Sequence, residues 1–135
     1  MMRRRIKLIA LALMFGACLA SAGTMSVRLV HATDAEGGMD PRLSDISGIL
    51  GSLRFESFSL LDSDTVRLPA EEVRIRMAQG YTLTCNGTQG DLAIEMNHNG
   101  QALLKTTATL RRGKPLILGG FPTREGKIIL VLKVE

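Results

Sequence analysis

Apolar and polar residues alternate along most of the chain from Phe55 onward. In Glu72 to Met77, Val73, Ile75 and Met77 fall on one face and Arg74 and Arg76 on the other, the period-two signature of a strand with one buried and one wetted side. Tyr81, Leu83 and Cys85 share a face opposite Thr82 and Thr84, and Leu92, Ile94 and Met96 line the next strand. Asn97-His98-Asn99-Gly100 then predicts a hairpin, because Asn and Gly tolerate positive φ. Ser26 to Ala32 predicts the first strand, and Phe55 to Leu61 another that stops at an Asp62-Ser63-Asp64 turn. Asn86-Gly87 predicts the start of a connection. Ala102 to Leu110, Leu116 to Phe121 and Ile128 to Val134 predict the last three strands, with Arg111 to Pro115 as a turn.

One segment breaks this period. Asp40 suits an N-cap, Pro41 suits the first helical position, and Leu43, Ile46, Leu50 and Leu53 recur at three- and four-residue spacing on one helical face. Seven or eight short strands around one short amphipathic helix predict a mainly β (α+β) fold, an antiparallel β-sandwich or a partly open barrel, with residues 23–135 as a single domain.

Charge changes the picture at the N-terminus. Arg3, Arg4, Arg5 and Lys7 precede an uncharged run from Leu8 to Ala20, and Ala20-Ser21-Ala22 offers small residues for cleavage, so residues 1–22 read as a secretory signal peptide. Cys18, after Phe15-Gly16-Ala17, gives the alternative of cleavage before a lipidated cysteine and a lipid anchor. The expected location is the periplasm or outer membrane of a Gram-negative envelope. Four of the 17 Lys and Arg and none of the 13 Asp and Glu lie in this segment. Residues 23–135 are therefore neutral overall, which argues against nucleic acid as a partner. No later apolar run reaches the ~18 residues of a spanning helix.

Candidate chemistry is sparse. His31, Asp34, Glu36 and Asp40 form the densest set of candidate metal ligands, but their spacing matches no EF-hand loop, and zinc wants a tighter His/Cys set. Cys85 could pair with His31 or His98 as nucleophile and base, yet it shares its face with Tyr81 and Leu83, where a thiol is buried and inert. Asn86-Gly87-Thr88 matches a glycosylation sequon and reads as a turn, and Arg111, Arg112 and Lys114 form a small basic tip. Neither a Gly-x-Ser-x-Gly elbow nor a phosphate loop occurs, so no enzyme and no cofactor are expected.

Two stretches carry resemblances. Thr106 to Leu110, Arg112 to Pro115 and Leu116-Ile117-Leu118-Gly119-Gly120-Phe121 together resemble a strand-turn-strand hairpin of the outer-membrane secretin domain, although Lys114-Pro115 departs from the residues usual after the turn glycine. Asp40-Pro41-Arg42-Leu43, with Leu118-Gly119-Gly120 through Leu132, is similar to short, signal-bearing bacterial envelope proteins. These likenesses imply a compartment and a fold and supply no catalytic residue. The expected function is a noncatalytic envelope protein-interaction module, accessory to a secretion, pilus or surface-assembly system. Its partner, another envelope protein, would bind along the strand edge Ile128, Leu130, Leu132 and Val134. The alternative is a small-ligand or cation-binding envelope protein using the loop 31–40.

Overall fold

The computed structural model describes residues 23–135; the expected signal peptide, residues 1–22, and the candidate lipidation site Cys18 lie outside the described residues. Two sheets face each other. The first contains β1 (Gly23–Thr33), β2 (Gly38–Met39), β3 (Ser57–Leu68), β8 (Leu116–Pro122) and β9 (Gly126–Val134), in the order β2-β3-β1-β9-β8. The second is the meander β4 (Ala70–Arg76), β5 (Tyr81–Thr88), β6 (Asp91–His98) and β7 (Gln101–Ala108), in chain order. All pairings are antiparallel except the two-residue contact of β2 with β3. Among the described residues no barrel closes, and residues 23–135 form the expected mainly β sandwich.

Period two explains the layering. Met25, Val27 and Leu29 of β1 and Ile128, Leu130, Leu132 and Val134 of β9 meet Tyr81, Leu83, Cys85, Leu92, Ile94 and Met96 in the core between the sheets. The opposite faces of the same two strands carry Val30, Ala32, Ile129 and Val131, which form a second core with Leu43, Ile46, Leu50 and Phe58. The helical segment covers that second core. It starts as a 3-10 helix, Pro41–Ile46, and continues as α1 (Ser47–Gly51). Asp40 caps it as expected, accepting the Arg42 N–H at 3.0 Å, and Leu43, Ile46 and Leu50 are its buried face.

Four expectations need correction. Asp62-Ser63-Asp64 is not a turn, because β3 runs through it in register with Leu29, Arg28 and Val27, and a bulge leaves Leu61 as the extra residue. Asn86-Gly87-Thr88 likewise stays inside β5, opposite Ala93, Leu92 and Asp91. In both places pairing with a long neighbouring strand outweighs local turn preference. The third correction concerns the strands on either side of the Arg111 to Pro115 turn: β7 and β8 lie in different sheets and form no hairpin, so the turn joins the two layers. The fourth concerns the interaction edge. Ile128, Leu130, Leu132 and Val134 are fully buried, and β9 is paired with β1 on one side and β8 on the other, so it is a central strand with no free edge.

Candidate functional site

The loop residues singled out for a cation do not converge. The Asp40 carboxylate is spent on structure, accepting from Arg42 Nη2 at 2.7 Å and from the Leu60 N–H at 3.0 Å. These bonds, the Arg42 side chain first and then the Leu60 and Arg42 backbone N–H groups, hold Asp40 far below the usual carboxylate range. Asp34 and Glu36 are exposed. His31 sits near the end of β1, where its Nε2 lies 3.3 Å from Thr123 Oγ1 in the β8–β9 turn. Among the described residues no group of three or more His, Cys, Asp or Glu is placed to hold a metal ion.

His31 instead shares a cavity of about 370 Å³ with His98, Tyr81 and Arg124 at one end of the sandwich. The His98 ring stacks on Tyr81 with centroids 4.2 Å apart, and its Nε2 lies 3.0 Å from the Gln79 carbonyl oxygen. A carbonyl only accepts, so the ring nitrogen is the donor in that contact. The sequence pattern separates these residues by tens of positions, and only the sheet topology brings them together. Cys85 lies elsewhere, fully buried between the sheets, where desolvation pushes its thiol up to about 11 and keeps it protonated.

On the outer face of the first sheet, Arg28 holds Asp45 through two bonds of 2.7 and 2.8 Å, and Lys133 reaches the same carboxylate at 3.3 Å. Arg28 is only 9% exposed, so this contact ties the helical segment to β1 and β9. The Arg28 fork, and then Lys133, hold the Asp45 carboxyl down at about 2.

The sheet edges differ sharply. Beyond Phe58, β3 is an edge, and the N–H groups of Leu60, Ser63 and Thr65 donate to the carboxylates of Asp40, Asp62 and Asp64. Those side chains occupy donors that an added strand would need. The β4 edge is broken by an irregularity between Ala70 and Val73, with Glu72 at φ 47°, and presents exposed Glu71, Arg74 and Arg76. The β7 edge presents exposed Gln101, Lys105 and Thr107.

The β8 edge has no charge anywhere between Lys114 and Arg124. Its residues Leu116, Ile117 and Leu118 are half-buried, and beyond them Gly119 and Gly120, at φ 110° and 95°, form a bulge. Beside this edge an apolar groove of about 220 Å³ opens between Leu53, Phe55, Ile117 and Ile129, with Lys127 at its rim. Phe55 is set there by an edge-to-face contact with Phe58, centroids 6.2 Å apart. Comparison with protein-family models, curated proteins and solved structures gives no match. The functional reading therefore rests on this chain's own geometry. Sequence reasoning missed Leu53, Phe55 and Ile117 as surface residues, because their apolar character reads as core; the Gly-Gly interruption and Pro122 were the available signs of an edge.

Proposed function

We propose that residues 23–135 are a noncatalytic protein-interaction module of the cell envelope that pairs a strand of another envelope protein with β8. One observation carries this reading: the β3 edge is blunted by carboxylates, the β4 edge by its irregularity and charged side chains, and the β7 edge carries Lys105 at mid-strand, whereas β8 combines an uncharged edge with an adjacent apolar groove. Main-chain bonds along Leu116 to Leu118 supply affinity, and the groove takes an apolar side chain of the added strand. A role accessory to secretion, pilus or surface assembly is supported only by the expected export, because β7 and β8 lie in different sheets and do not form the hairpin that the resemblance implies. Export with removal of residues 1–22 places the module in the periplasm or at the outer membrane, and intact-mass measurement distinguishes a Gly23 N-terminus from a lipidated Cys18.

A photo-crosslinking residue at Ile117, in cells bearing the full chain, is expected to trap a discrete partner, and one at Asp64 on the β3 edge to trap none. Equal trapping from both positions, or trapping from Asp64 alone, overturns the assignment of β8. A second reading is favoured by the cavity that joins His31, His98, Tyr81 and Arg124: a small polar ligand held at the sandwich end. It predicts that His98→Ala abolishes ligand-dependent thermal stabilisation without altering crosslinks from Ile117.

A further inference from the structure

Charge is distributed unevenly around the β8 edge. Of the 13 Lys and Arg and 13 Asp and Glu in residues 23–135, five bases and a single acid lie between Arg111 and Lys127. Arg111, Arg112 and Lys114 precede β8, and Arg124 and Lys127 follow it; all five are exposed. Among the described residues none of them forms an ion pair, since the ion pairs present are Arg28–Asp45, Arg42–Asp40, Lys133–Asp45 and Lys133–Glu135. Arg112 Nη1 donates to the Glu135 main-chain oxygen at 2.7 Å, whereas Arg111, Lys114, Arg124 and Lys127 have no acidic side-chain partner among the described residues, so an uncharged strand edge is bracketed at both ends by cations.

Building on the β8 reading above, we infer that the strand received by β8 is a short apolar segment with acidic residues on both flanks, carried by a different protein. Two copies joined β8 to β8 would bring ten bases together along one seam, which like-charge repulsion opposes. Joining β8 of one copy to the acidic β3 edge of the next would match charge, but the β3 donors of Leu60, Ser63 and Thr65 are already taken by Asp40, Asp62 and Asp64. Open, non-closing self-assembly is blocked by the same carboxylates. An anionic membrane also matches the charge but leaves the edge N–H and C=O groups unpaired in hydrocarbon, whereas a strand satisfies them. The bulge at Gly119 and Gly120 limits regular pairing to the stretch before it, so the apolar segment is short and the acids sit close on either side.

The test uses the exported protein and three fluorescent peptides with one alternating Val-Thr centre, flanked by Glu, Ser or Lys. The Glu-flanked peptide is expected to bind about tenfold more tightly than the Ser-flanked one at low salt, with the Lys-flanked peptide weakest and the differences shrinking as salt rises. The Lys114→Glu, Lys127→Glu double variant, which leaves three bases and three acids between Arg111 and residue 127, should erase the order. Ile117→Asp should remove binding of all three, with a lowered melting temperature in a protein that still folds; if it fails to fold, the charge-reversal variant decides alone. Equal affinities for the three peptides, all lost with Ile117→Asp, overturn the acidic partner and leave the β8 reading standing. No binding by any peptide overturns both. A concentration-dependent dimer in sedimentation, or flotation with phosphatidylglycerol vesicles, overturns the inference if Ile117→Asp abolishes it.

Discussion

β8 and β9 are hydrogen-bonded neighbours with similar apolar centres, Leu-Ile-Leu in one and Ile-Ile-Leu-Val-Leu in the other, yet they occupy opposite situations. β9 is covered on both faces, by the opposing sheet and by the helical segment, and its two edges are paired. β8 is paired on one side only, and Ile117, which points toward the helical layer, lies in an open groove instead of under a helix. The difference teaches that an apolar run signals two-face burial when it is uninterrupted. Where Gly-Gly and Pro break it, the strand has a side that no neighbour uses.

Truncating the two strands should separate them most clearly. Leu130 is fully buried between the sheets, so Leu130→Ala is expected to cost about 2–5 kcal/mol through lost burial and a residual cavity. Ile117→Ala, at the half-buried edge, should cost clearly less, and urea midpoints of the two variants measure the gap. Equal losses would mean that β8 is as deeply built into the core as β9. Between these lies Gly120→Val: a β-branched residue at φ 95° is strained by about 1–2 kcal/mol, and Gly120→Ala should be milder.

Much of the fold is legible in the alternation itself. Val73, Ile75 and Met77, or Leu92, Ile94 and Met96, state which face is inward, and Asn99-Gly100 marks a two-residue turn in which both residues take positive φ, 51° and 86°. The helix was legible from Asp40 and Pro41, although its first six residues are 3-10. Strand order was not legible, because Ile128 to Val134 shows how apolar the strand is and not which strands lie beside it. Nor could local signals reveal that Asp62 and Asp64 protect an edge, since the same residues favour turns until pairing with β1 overrides them. The cavity containing His31 and His98 is invisible to spacing because its residues meet only through the sandwich.

A smaller effect should sharpen the contrast between covered and uncovered faces. Asp45 fastens the helical segment over Ile129 and Val131, and nothing equivalent covers Ile117. Its carboxyl is lowered from 3.8 to about 2 in the folded protein. A depressed acid stabilises the fold above its ordinary unfolded value, and that contribution is lost as pH falls from about 4 through 2. The side chain is 42% exposed, so after solvent screening the term is at most about 1 kcal/mol. Melting temperatures across this range should fall less steeply for Asp45→Asn than for the parent chain. An identical slope would mean that Asp45 is not an acid-sensitive link.

The smallest expected effect on stability is at Lys114. Its backbone N–H closes the turn on the Arg111 carbonyl at 3.0 Å, a bond that Ala retains, and its exposed ammonium has no acidic partner among the described residues. Lys114→Ala should therefore move the urea midpoint by no more than about 0.5 kcal/mol equivalent. The same change removes one cation from the rim of β8, so it should weaken the Glu-flanked peptide at low salt and leave the Ser-flanked peptide nearly unaffected. A residue with no folding role that still discriminates between these peptides would act only in recognition. Leu130 offers the converse, a side chain that no partner reaches and that the core needs. If Lys114→Ala instead lowers stability as Gly120→Val does, the turn belongs to the cooperative core and the division between a buried β9 and an available β8 is wrong.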